Sequence, residues 1–193
     1  ASHICDTKGF SRGQALSVAL RLGQAYGWHT YWQDPGDAGL ATTVDWDLPK
    51  GVQAGPLLWP QPIVFRDPGG LVGYGYLHQA LILTEIRVGK DYASDRLALK
   101  AQANWLVCKD VCIPGDAGVS LVLARQNPNP LSANANQFAA LRPRLGQVPS
   151  GYKGPVKAAQ VQPTPSLTRV AANQLDSFES APQAVDPAAA AAS

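Results

Sequence analysis

The chain has 193 residues, enough for one domain with a tail or for two small domains, and a hydrophobic content of 46% supports a buried core. Its 16 basic and 14 acidic residues leave a net charge of +2 with no basic cluster, which argues against nucleic-acid binding. No apolar run approaches the ~20 residues of a membrane-spanning helix.

Methionine is absent. Ala1 is therefore not expected to be the translation start, and the chain is expected to be a processed or excised piece, with a removed signal peptide compatible with that origin. The same absence deprives the chain of the thioether ligands that soft Cu(I) commonly takes.

Cys5 is an odd cysteine that cannot pair with both of the others, and it is expected to be a free or exposed thiol outside any mechanism. Leu16, Val18, Leu20 and Leu22 recur at a period of two, the pattern of a half-buried strand. The β-prone run Gly27-Trp28-His29-Thr30-Tyr31-Trp32 predicts another strand, stopped by the turn signal Asp34-Pro35-Gly36. His29 lies among aromatics without a nucleophile constellation, so a packed or hydrogen-bonded histidine is expected rather than a catalytic base. Val44 to Leu48 alternates again. Trp59-Pro60-Gln61-Pro62 is excluded from a central strand because its prolines remove ladder donors.

Asp67-Pro68-Gly69-Gly70 predicts a loop leading into Gly73-Tyr74-Gly75-Tyr76, which by itself reads as a glycine-rich hairpin. Residues 79–88 and 96–103 are strand-like, and Pro114-Gly115-Asp116-Ala117-Gly118 is expected to break the chain before a last strand at Val119–Leu123. Strands separated by turn signals, without helical periodicity between them, predict an all-β sandwich. The composition changes at Asn127-Pro128-Asn129-Pro130. Residues 1–126 are thus expected to form the sandwich, and 127–149 one short helix packed on it, with Phe138, Leu141 and Leu145 at helical spacing and Ser132 as N-cap. Residues 150–193, rich in Pro and Ala, read as a flexible linker or a partial element.

Three residues separate Cys108 from Cys112, a spacing that a modest strand irregularity can bridge with a disulfide. So short a loop stabilises by only about 2 kcal/mol on chain-entropy scaling, which favours a chemical role for the bridge over a structural one. Lys109 would favour a thiolate and Asp110 would disfavour it. A structural disulfide, a zinc site drawing on His3, His29 and His78, and two buried reduced cysteines remain open from spacing alone, although the histidines lack the paired spacing of zinc modules.

Gly27-Trp28-His29-Thr30-Tyr31-Trp32 with Pro35-Gly36-Asp37-Ala38-Gly39, then Trp59-Pro60-Gln61-Pro62, Tyr74-Gly75-Tyr76 and Trp105-Leu106-Val107-Cys108-Lys109-Asp110-Val111-Cys112-Ile113-Pro114, form an ordered set spanning roughly residues 10–148. This set resembles the N-terminal periplasmic domain of the DsbD family of thiol:disulfide interchange proteins, and within it the ScsB-type branch. The resemblance implies an immunoglobulin-like β-sandwich, periplasmic and monomeric, that relays electrons from a transmembrane thiol transporter to oxidised thioredoxin-like periplasmic proteins by thiol-disulfide exchange. It implies Cys108 and Cys112 as the redox pair, with Cys112 the partner-facing sulfur. It implies Tyr74, with Tyr76, as a cap over the disulfide, Tyr31 and His29 as pocket-lining residues, and neither cofactor nor metal.

The chain departs from the family pattern in places. The best-known members have a longer gap between the cysteines, and the transporter and thioredoxin-like domains of full-length members lie outside this sequence, leaving both an excised domain and a free-standing relative open. Two further readings compete with the relay. A sandwich binding module with a structural disulfide would lose its fold on reduction, and a copper-stress metal-handling module would bind Cu(I) through the two thiols.

Overall fold

The computed structural model describes residues 1–66, 69–126 and 130–154. Eleven strands, one helix and one 3-10 turn occupy the described residues: β1 (Ser2–Cys5), β2 (Gly9–Phe10), β3 (Ala15–Gly23), β4 (His29–Gly36), β5 (Thr43–Asp47), β6 (Val52–Leu58), β7 (Ile63–Arg66), β8 (Val72–Leu77), β9 (Gln79–Val88), β10 (Arg96–Cys108), β11 (Cys112–Arg125), α1 (Ala135–Leu141) and the turn Arg142–Arg144. One sheet runs β1-β3-β9-β6, and the other runs β2-β11-β10-β4-β8-β7 with β5 also paired to β10. This is the expected all-β, immunoglobulin-like sandwich with a short C-terminal helix. No helix among the described residues is long and apolar enough to cross a membrane.

The core lies between the two sheets. At one end Phe10, Leu16, Val18, Ile86, Leu97 and Leu99 pack together. At the other Leu20, Leu22, Trp32, Val44, Tyr76 and Ala103 do the same. Inward residues alternate along β10 from Arg96 to Asn104, as period-two burial requires.

Several elements differ from the sequence expectation, each for a physical reason. β3 was expected to be half-buried, yet Leu16 to Leu20 is buried on both faces. Phe138 and Leu141 of α1 cover the outer side, packing on Ala19 of β3 and Leu83 of β9. The helix itself begins at Ala135 rather than at an N-cap Ser132. Residues 131–133 are instead held extended against the first strands, where Lys8 N–H donates to the Leu131 carbonyl and Ala133 N–H to that of Asp6. Asn134, in the left-handed region at φ 48°, then turns the chain into the helix, its side-chain amide donating to the Cys5 carbonyl.

The Asp34-Pro35-Gly36 turn signal is absorbed into the end of β4 as a register shift between Tyr31 and Gly36. Gly36 N–H donates to the Asp34 carboxylate at 3.1 Å and the glycine sits at φ 92°. The expected break at 114–118 does not occur either, and β11 pairs continuously with β10 from Cys112 to Ala124. Over this stretch β11 is an edge strand, meeting β2 at Ala124 and Arg125, so Pro114 leaves no inner ladder donor missing. Gly115 is required there, because a Cβ would come within 2.7 Å of the Trp105 indole.

Cys5 is free of any disulfide but buried, contrary to the exposed thiol expected; its Sγ contacts Asp6 and Thr7, and burial raises its pKa. The boundary at 127–129, the loop residues Asp67 and Pro68, and residues 155–193 of the expected tail lie outside the described residues.

Candidate functional site

Cys108 ends β10 and Cys112 begins β11, directly opposite each other in the hairpin register, and the two are joined in a disulfide with Cα atoms 4.1 Å apart. The intervening Lys109-Asp110-Val111 forms a tight turn in which Lys109 N–H donates to the Val111 carbonyl at 3.1 Å. The two sulfurs differ in access. Cys108 is only 2% exposed, because on its other side β10 pairs with β4 and sets Cys108 opposite His29. Cys112 lies on the open edge of β11 and is exposed.

Alternation along β4 places His29 and Tyr31 on the disulfide face and Thr30 and Trp32 on the inner face. The Tyr31 hydroxyl reaches Cys112 Sγ at 4.0 Å, and His29 Nε2 lies 3.2 Å from that hydroxyl. Both rings are buried, at 2% exposure for Tyr31 and 6% for His29. Two glycines make this possible. Gly39, at φ 105°, lies against the Tyr31 ring where any side chain would clash, and Gly73 of β8 does the same beneath Phe65.

Phe65 is the residue that sequence reasoning missed. It projects from β7, with its ring centroid 4.2 Å from that of His29 and 6.0 Å from that of Tyr31, so it roofs the pair beside the disulfide. Tyr74 and Tyr76, expected as the cap, are placed elsewhere. Their position on β8 sends them to the sandwich interior, while Gly73 and Gly75 take the disulfide face. Tyr74 packs edge-on against Trp32 and Tyr152, and the buried Tyr76 hydroxyl donates to the Pro60 carbonyl at 2.8 Å. Burial pushes the Tyr76 phenol well above its ordinary pKa, as befits a structural core tyrosine.

Around Cys112 the surface is apolar. Val111 and Ile113 are 62% and 48% exposed, and Leu77 of β8 is 41% exposed. On the inner side of the same hairpin, Trp28, Trp105, Val107 and Ile113 line a groove of about 280 Å³. The charged neighbours Lys109 and Asp110 are exposed and of opposite sign. Among the described residues no three His, Cys, Asp or Glu side chains gather as a metal site.

A sandwich with an asymmetric, half-buried disulfide at a hairpin tip defines a thiol-disulfide interchange domain. The family described as thiol:disulfide interchange protein DsbD, N-terminal, matches residues 6–124, more than half of the chain, and the chain belongs to that family. The expected likeness to the ScsB-type branch is met at the level of the fold. The N-terminal periplasmic domain of ScsB from Proteus mirabilis shares 23% identity at a TM-score of 0.52, covering 74% of this chain. The chain spans 52% of the length of that structure. The N-terminal domain of DsbD from Neisseria meningitidis in its reduced form aligns at 12% identity and a TM-score of 0.37, over 68% of this chain and 88% of its own. No curated protein matches the chain.

Proposed function

We propose that this domain is a periplasmic electron relay, in which Cys108 and Cys112 accept electrons from a transmembrane thiol transporter and pass them to oxidised thioredoxin-like proteins. The observation that carries this reading is the unequal access of the two sulfurs: Cys112 exposed on an apolar rim, Cys108 buried at 2% exposure. A partner thiolate attacks Cys112 Sγ, forming a mixed disulfide, and Cys108 leaves as the thiolate with the electron pair of the broken bond. The partner's second thiolate then attacks the partner's own sulfur in the mixed disulfide, which closes the partner's disulfide and releases Cys112 as a thiolate. In the forward transfer the Cys112 thiolate attacks an oxidised client and Cys108 resolves the mixed disulfide. The periplasmic setting is supported by the compartment of the ScsB domain that shares the fold.

Phe65 takes the capping role in this reading, in place of Tyr74 and Tyr76. Its ring covers the His29–Tyr31 pair beside Cys112, and it belongs to the short hairpin β7–β8 at the edge of the sheet, so it can be lifted by a docking partner without opening the core. Val111, Ile113 and Leu77 then provide apolar area for that partner.

The test is the reduction potential of the Cys108–Cys112 pair in a Cys5→Ala background, with thermal unfolding of both redox forms in parallel. A value of about −270 to −180 mV with both forms folded is expected for a relay. A value below about −300 mV, with unfolding on reduction, would make the bridge a staple and the domain a binding module.

A further inference from the structure

The disulfide constrains who donates to whom along the wall of the site. An oxidised Cys112 Sγ carries no hydrogen, so in its 4.0 Å contact with Tyr31 the phenol must be the donor. Tyr31 has one hydroxyl proton, and the contact allows it to be directed to that sulfur. With the proton so directed, the 3.2 Å contact with His29 is made by Nε2–H donating to the Tyr31 oxygen. The order runs one way, from His29 Nε2–H to Tyr31 Oη and from Tyr31 O–H to Cys112 Sγ.

We propose that this chain is a built-in donor to the Cys112 thiolate, with Tyr31 the catalytic hydrogen-bond donor and His29 the positioning residue that fixes the direction of its hydroxyl. The proposal rests on the redox reading above and deepens it. In the releasing step the mixed disulfide between the partner and Cys112 breaks, and the electron pair goes to Cys112 Sγ. The Tyr31 O–H is already aimed at the atom where that charge appears. A neutral contact at the long end of sulfur's reach becomes a charge-assisted one, which is shorter and stronger. In the reverse direction the same bond raises the thiolate fraction of Cys112 before attack. Burial of Tyr31 and His29 beneath Phe65 and Gly39 keeps water from competing for the phenol. Among the described residues, the charged groups of the turn beside Cys112, Lys109 and Asp110, are exposed and opposite in sign, so neither replaces this donor.

The tautomer of His29 is measured first, by long-range 1H–15N correlation on the oxidised 193-residue chain. A proton on Nε2 is expected; a ring protonated on Nδ1 alone overturns the proposal. Because this uses the folded disulfide form, it stands whatever the reduction potential proves to be. The Cys112 thiolate is then titrated by ultraviolet absorbance in a Cys5→Ala, Cys108→Ser background. Tyr31→Phe is expected to raise the titration midpoint by about one pH unit, and in the two-cysteine protein to slow reduction by dithiothreitol by up to about tenfold. His29→Leu should move both in the same direction, and His29→Gln, whose amide can donate from the same place, should restore part of the effect. A Cys112 midpoint unmoved by Tyr31→Phe and by His29→Leu would overturn the proposal. A shifted midpoint combined with a potential below about −300 mV would keep it and remove the relay instead.

Discussion

Phe65 lies across Gly73, the residue on the neighbouring strand whose missing side chain leaves room for its ring. That ring lies tilted against His29 with centroids 4.2 Å apart and sits beside Tyr31, whose hydroxyl contacts Cys112 Sγ. Phe65→Ala is expected to speed reduction of the disulfide by small thiols several-fold, because the wall beside Cys112 becomes open to them. Gly73→Val should act in the same direction by displacing the ring. Tyr74→Leu should leave that rate unchanged while lowering the melting temperature, since Tyr74 packs with Trp32 and Tyr152 inside the sandwich. Stopped-flow reduction by glutathione, with thermal melts of each variant, separates the two roles. Equal rates for Phe65→Ala and the parent would remove the cap.

The location of that cap shows where the sequence was legible and where it was not. The period-two apolar patterns at 16–22 and 96–103 and the strand-like run at 79–88 correspond to β3, β10 and β9. The cysteine pair and its family motifs were equally readable, whereas the continuous pairing of β11 with β10 through 114–118 was not. The facing of β8 was not: Gly73-Tyr74-Gly75-Tyr76 alternates perfectly, but alternation alone does not say which side meets the core. A signal was present, since two glycines on one face leave a bare surface that a ring from the paired strand can cover, and Phe65 is the aromatic of the paired strand β7. Double burial of β3 was hidden for a different reason. It depends on α1, more than a hundred residues away in sequence, and on the extended segment at 131–133 that delays the helix start.

The helix is a load on the outer face of the four-stranded sheet, and its contribution follows from Phe138, which is 3% exposed and packs with Leu141, Ala19 and Leu83. Phe138→Ala is expected to cost roughly 3 kcal/mol, the usual range for emptying a buried aromatic site. Urea unfolding of the oxidised protein would show a lower midpoint. The reduction potential should stay within error of the parent, because α1 covers the opposite sheet from Cys112. A potential that shifted with this variant would show coupling between the helix and the site.

His3 sits partly buried with its ring stacked on Trp46 at a centroid distance of 4.9 Å, and neither ring nitrogen finds a hydrogen-bond partner among the described residues. Burial lowers its pKa from 6.5 to about 4. The folded state thus resists the charged imidazolium, while the unfolded chain accepts the proton near pH 6.5. Stability is full above about pH 6.5 and is lost as the pH falls from there toward about 4, where the folded protein also protonates. His3→Phe should keep the stack and flatten that part of the pH–stability profile, as measured by denaturant unfolding at pH 7 and pH 4.5. An unchanged slope in the variant would assign the acid sensitivity to other groups.

Unequal burial makes the two cysteines chemically different, and single-cysteine variants expose the difference. In Cys108→Ser, Cys112 remains on the open edge of β11 and should be alkylated by iodoacetamide at a rate near that of an accessible thiol at the same thiolate fraction. In Cys112→Ser, Cys108 remains opposite His29 with 2% exposure and should react slower by on the order of a hundredfold, since a buried thiol must wait for local opening. Folding should tolerate both changes: the bridge closes so small a loop that its loss costs only about 2 kcal/mol on chain-entropy scaling. The partner-trapping consequence follows directly. A thioredoxin-like protein should form a stable mixed disulfide with Cys108→Ser, because Cys112 can attack and nothing remains to resolve it, and should form none with Cys112→Ser. Comparable trapping by both variants would mean that Cys108 is reached in the docked state, and would shift the mobile element from the Phe65 roof to the hairpin that carries both sulfurs.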